Sequence, residues 1–170
     1  MPVIEQPSPL TLDRLEQVLR AHPQFNNPMI DLAAATVVLN RDVHDGRILT
    51  FNRLAGVAAT LPAAIGSGAR IRFVVKLLAT SVSYKVQVAN ANDILQGVIF
   101  GARVDSGNAV LGFAANGTDH DTVTLNRTTT GSVSLGEWLE FQDIAVNKWH
   151  VTGMLTATGG AFATPFSSAV

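Results

Sequence analysis

The sequence predicts a mainly β protein, an antiparallel sandwich or jelly-roll-like barrel, preceded by an N-terminal extended arm and one short amphipathic helix. Three observations lead there. After residue 30 apolar and polar residues alternate in short runs, the period of two that places one face of a strand on a core. Bends rich in Gly, Asn and Asp separate these runs at short intervals. No 3.6-residue period follows residue 30, so the crossover helices of a parallel α/β sheet have no counterpart in the pattern.

Residues 1–9 contain Pro2, Pro7 and Pro9 and no periodicity, and read as an extended arm. Thr11 is placed to cap a helix, Asp13 falls in its first turn, and Glu16 and Arg20 stand one turn apart. Leu12, Leu15, Val18 and Leu19 share one face of that helix, over residues 12–21, and Pro23 stops it. A helix this short is unstable alone, so its apolar stripe must dock, on its own domain, on a neighbouring subunit or on a larger assembly. These four residues form the candidate attachment face. Residues 1–30 are therefore one unit, arm and helix, and residues 31–170 the β-domain.

Within the β-domain, runs over residues 36–43 and 47–52 flank Asp45-Gly46, a dipeptide suited to a tight hairpin. A short strand over residues 57–61 is stopped by Pro62, and Gly66-Ser67-Gly68 permits a sharp bend. Ile71, Phe73, Val75 and Leu77 then alternate with Arg70, Arg72 and Lys76, the cleanest half-buried strand in the chain. Val82, Tyr84, Val86 and Val88 repeat the pattern, and an antiparallel pairing of the two runs is expected. Further strands are expected over residues 94–101, 109–115 and 121–126. The last strong pair, residues 136–144 and 148–156, surrounds a turn at residues 145–147, with Trp149 and Val151 facing opposite to Lys148 and His150.

A chain of 170 residues fits one domain with a short appendage. Charged residues are only 15% of it, against about 25% in ordinary globular proteins. So neutral a surface points to self-association. The net charge of −1 offers no basic stripe for phosphates, which argues against a nucleic-acid partner. No apolar run approaches the roughly 18 residues of a membrane span, and the first residues lack the pattern of a signal peptide. With no cysteine, disulfides, thiolate catalysis and Cys-based metal sites are excluded.

Candidate chemistry is sparse. His44 lies between Asp42 and Asp45, too few ligands for a metal site, beside a turn where such residues are ordinarily solvated. His120 stands between Asp119 and Asp121, but neighbours on a strand point to opposite faces, and a polar turn is the preferred reading. His150 suits surface or subunit packing, and His22 a helix C-terminus. Residues 66–70 lack the Lys-Ser/Thr ending of a phosphate-binding loop and precede a strand, so their glycines are read as a turn. Glu137 and Glu140 are read as residues of an edge strand. No catalytic, cofactor or metal residue is expected, and the chain is not expected to be an enzyme. An enzyme would need His44, Asp45, His120 and Asp121 to converge in one cleft.

Five phrases are informative as a set: TLPAAIGSGARIRFVV from residue 60, YKVQVANANDILQGV from residue 84, DTVTLNRTTTG from residue 121, GEWLEFQDIAVNKWHV from residue 136, and the ending ATPFSSAV. Together they resemble the capsid decoration, or cement, proteins of tailed bacteriophages, over residues 51–170. The resemblance implies a homotrimeric β-domain on the capsid exterior, with the major capsid protein as partner, no cofactor, and assembly in the bacterial host cytoplasm. Similar β-modules occur in phage tail fibres and receptor-binding appendages, which is the alternative.

Overall fold

The computed structural model describes residues 29–105, 109–159 and 162–170. The expected arm and the helix carrying Leu12, Leu15, Val18 and Leu19 lie outside the described residues. The described chain is mainly β. In order come β1 (Met29–Leu32), β2 (Thr36–Val38), a single helical turn α1 (Arg41–His44), β3 (Arg47–Phe51), β4 (Ala58–Thr60), β5 (Arg70–Val75) and β6 (Tyr84–Gln87). Then follow β7 (Ile94–Arg103), β8 (Val110–Ala114), β9 (Thr122–Leu125), β10 (Trp138–Ala145), β11 (Lys148–Ala157) and β12 (Phe166–Ser167).

They form a seven-stranded sheet, β1-β3-β5-β10-β11-β7-β8, and a five-stranded sheet, β12-β9-β6-β4-β2. Each sheet keeps two free edges, so the described strands do not close into a barrel. The arrangement is that of a sandwich, but not an antiparallel one. β1, β3 and β5 run parallel, as do β7 and β11, and β2, β4 and β6 in the smaller sheet. β10 lies antiparallel to β5 and β11, and β9 antiparallel to β6 and β12. The cause is the path of the first six strands, which alternate between the sheets. Each return to a sheet restores the chain's direction, and the strand in the opposite sheet does the work of a crossover helix.

Two expected antiparallel pairings are therefore corrected. Asp45-Gly46 does not join a hairpin: Gly46, at φ +69, follows α1, and the segment carries the chain from β2 in one sheet to β3 in the other. Asn40 caps this turn by accepting the amide of Asp42 at 2.8 Å. Likewise β5 and β6 do not pair. Residues 76–83 arch between the sheets, and the Tyr84 hydroxyl donates to the Leu77 carbonyl at 2.6 Å beneath the arch. Val82, expected inside, is 60% exposed on it. The hairpin at residues 145–147 does form, with Asn147 at φ +61.

The core lies between the sheets. Leu49, Ile71, Phe73, Ile99, Phe141, Trp149 and Val151 come to it from the larger sheet, and Ala59, Tyr84, Val86, Val123 and Leu125 from the smaller. Phe51 links the two, stacked on Phe73 at 5.3 Å and on Tyr84 at 4.4 Å. Phe162, near the C-terminus, stacks on Phe113 at 5.1 Å and lies directly over Gly101, where a Cβ would come within 2.2 Å of its ring. Gly101 is thus the seat that holds the last segment against β7.

Candidate functional site

The bend at Gly66-Ser67-Gly68 forms as expected, with φ of +76 and +77 at the two glycines. Its amides do enclose an anion, but the anion belongs to the chain. The carboxylate of Asp143, fully buried on β10, accepts the amides of Gly66 at 2.7 Å, Ser67 at 3.1 Å and Ile65 at 3.2 Å. The Ser67 hydroxyl adds a bond at 2.7 Å and the Arg41 guanidinium an ion pair at 2.8 Å. Burial by itself pushes this carboxyl up. The Ser67 hydroxyl and amide, Arg41 and the Gly66 amide outweigh that and hold it down at about 2. Successive backbone N–H groups in such a turn make a ready anion pocket, and here an internal side chain fills it.

Two more acidic residues are used the same way. Glu137 is not on an edge strand: it directly precedes β10, which lies between β5 and β11, and it is buried. Its carboxylate accepts the amides of Ser132, Val133 and Ser134, each at 2.7 Å, and the hydroxyl of Thr156 at 2.5 Å. Glu140 lies on the outer face opposite Arg72, so the two glutamates serve separate places. Asp121 accepts the amides of Ala169 at 2.8 Å and Val170 at 3.0 Å, fastening the C-terminal residues beside β9.

The histidines are dispersed. The ring nitrogen Nδ1 of His44 lies 3.0 Å from the amide of Asn40, while the Asp45 carboxylate accepts the amide of Arg70 at 2.8 Å. His120 accepts the amide of Asn116 at 3.0 Å and stacks flat on Phe166 at 5.5 Å. Asp42 is exposed, Asp119 pairs with Asn116, and His150 sits half-buried on β11 opposite Gln142. His22 lies outside the described residues. No group of three or more His, Asp or Glu gathers among the described residues. Sequence reading missed the role of Asp143. Its only local signal was an acidic residue at an inward position of a strand.

With these polar groups turned inward, the exposed features are surfaces. On the outer face of the larger sheet one register row runs from Asp31 and Thr50 into an apolar part over five strands: Val74, Trp138, Met154, Phe100 and Gly112. The Arg72 guanidinium lies over the Trp138 ring at 4.4 Å and bounds the row on its polar side. Beside the row, Ala102, Leu135, Trp138 and Met154 line a groove of about 250 Å³. On the smaller sheet a second groove, about 630 Å³, is floored by Ala58 and Lys85 and rimmed by Arg53 and Val82. No family model matches the chain, and comparison with curated proteins and with solved structures found no match.

Proposed function

We propose that the chain is a structural protein of a bacteriophage particle. It binds the outside of the capsid as a homotrimer and stabilises contacts between major capsid subunits, with residues 1–30 as the attachment unit, of which Met29 and Ile30 already belong to β1. The observation that carries this reading is where the five phage-like phrases fall. The first runs from Thr60, the last residue of β4, through the bend that holds Asp143 and along β5; the second covers β6 and the start of β7; the fourth covers Glu137, β10 and the first residues of β11. They make up a rigid scaffold whose buried carboxylates serve internal fastening. A body of this kind suits a part that holds other proteins in place, and its neutral outer row suits packing against copies of itself. Three arms on one trimer reinforce one another, because the second and third bind at high effective concentration.

The test is addition of the purified full chain to shells that lack it. Saturable binding of trimers and a higher shell-opening temperature are expected. A monomer that leaves the shells unbound overturns the reading, and binding to host-cell polysaccharide without affinity for shells supports the tail-fibre alternative. Deleting residues 1–27 should leave the β-body folded and weaken attachment at least about tenfold, through loss of effective concentration. Unchanged occupancy after that deletion removes the arm from the mechanism.

A further inference from the structure

We infer that the Trp138–Met154–Phe100 face, together with the edge strand β8, is the contact between copies of this chain. The inference rests on the homotrimer proposed above and names the surface that builds it. Phe100 is 47% exposed, Met154 46%, Val110 57%, Leu111 45% and Leu135 64%, all on or beside one end of the larger sheet. Trp, Met and Phe are the residue types enriched in interface cores, and here they stand side by side in one register row.

The edge is as unusual as the face. β8, Val110–Ala114, has the sequence VLGFA, with no charge and no proline, and its outer edge pairs with no other described strand. Natural sheets ordinarily guard such edges with Lys, Pro, bulges or a covering segment, because an open edge recruits other strands. Phe100 covers part of the gap at Gly112, where a Cβ would lie 3.6 Å from its ring. Among the described residues, no strand pairs with this edge.

The occupant follows from charge and area. From Val74 to Gly112 the row carries no charged residue, nor does β8, and charge meets this end of the face only at Arg72, over the Trp138 ring. The exposed side chains alone fall short of the ~800 Å² per partner of a specific interface. A second copy supplies a surface of the same neutrality, and the open edge adds the area still wanting. In a cyclic assembly the contact is head to tail. Val110 at the edge of one copy seats in the groove between Leu135, Trp138 and Met154 of the next.

Sedimentation velocity on the full chain over a wide micromolar range tests this, with Met154→Glu, Val110→Glu and, as control, Val82→Glu on the arch between the sheets. Far-UV circular dichroism checks that each variant folds; all three sites are exposed. The wild type should be trimeric. Met154→Glu and Val110→Glu should each weaken self-association at least about 100-fold, since a carboxylate would be buried unpaired, and Val82→Glu should change it less than about twofold. Trimers that persist in both face variants overturn the assignment of the face while leaving the homotrimer intact. Trimers lost on deletion of residues 1–27 but kept in the face variants overturn it in favour of the arm. Face variants that stay trimeric but no longer bind shells overturn it in favour of the capsid. A wild type that is monomeric throughout overturns both the face and the proposed function.

Discussion

Asp143 shows how one residue can fix two distant parts of the chain. Its carboxylate joins β10 to the bend at Ser67, and through Arg41 to the helical turn between the sheets. Replacing it with Asn keeps the shape but removes the charge that five donors are aimed at. We expect Asp143→Asn to lower unfolding free energy by about 3 kcal/mol, the scale for breaking a buried ion pair from one side. Arg41→Ala should cost less, because the carboxylate keeps its amide and hydroxyl donors. Urea unfolding of the two variants measures both. The same geometry sets a pH dependence. The folded carboxyl is held at about 2 against 3.8 for a free one, so the charged form is favoured by folding. Its contribution, about 2 kcal/mol, is complete above pH ~4 and is lost as pH falls toward 2. The wild type should lose urea resistance over that window, and Asp143→Asn should show a flatter profile there.

At the scale of elements, glycine positions separate close approach from mere convenience. Gly97 lies in β7 at φ +123, and a Cβ there would come within 2.1 Å of the Val151 carbonyl oxygen on β11. Gly97→Ala should therefore cost about 3 kcal/mol or more, whereas Gly112→Ala on β8 meets only ordinary contacts and should change stability by less than about 0.5 kcal/mol. Thermal unfolding of the pair checks the contrast; equal losses would contradict the packing described at the β7–β11 junction. The elements also show what was legible in the sequence. Ile71, Phe73 and Val75, and later Trp149 and Val151, were readable as inward because a period of two reports which face is buried. It does not report which strand lies alongside. An arch between two sheets and a hairpin within one have the same alternation on both sides. The alternation on either side of Asp45-Gly46, and on either side of residues 78–81, therefore reads as paired strands where the chain in fact crosses between sheets. Asp143 was unreadable for a related reason: its partners at residues 65–67 are remote in sequence and become neighbours only once β5 and β10 pair.

For the whole molecule, the sparse charge makes a statement about how copies would associate. Arg41–Asp143, Lys76–Asp31 and Arg103–Asp105 are ion pairs among the described residues. Lys76 and the Thr50 hydroxyl hold Asp31 below the usual carboxylate range, and the Gly159 amide does the same for Asp105. Each is already committed to neighbours in its own chain. Self-association through the neutral face should then owe little to Coulomb attraction between copies. Salt shortens the range of such attraction, from roughly 10 Å at 0.1 M to about 3 Å at 1 M, and leaves apolar burial intact. Raising sodium chloride from ~0.05 M to ~0.5 M should shift the association constant by less than about threefold, whereas contacts built on rim charges are salt-sensitive. Sedimentation equilibrium at the two salt concentrations measures this. A tenfold weakening at high salt would mean that charged residues such as Arg70, Arg72 or Lys148, at the polar end of the same sheet, carry the contact instead of Phe100 and Met154.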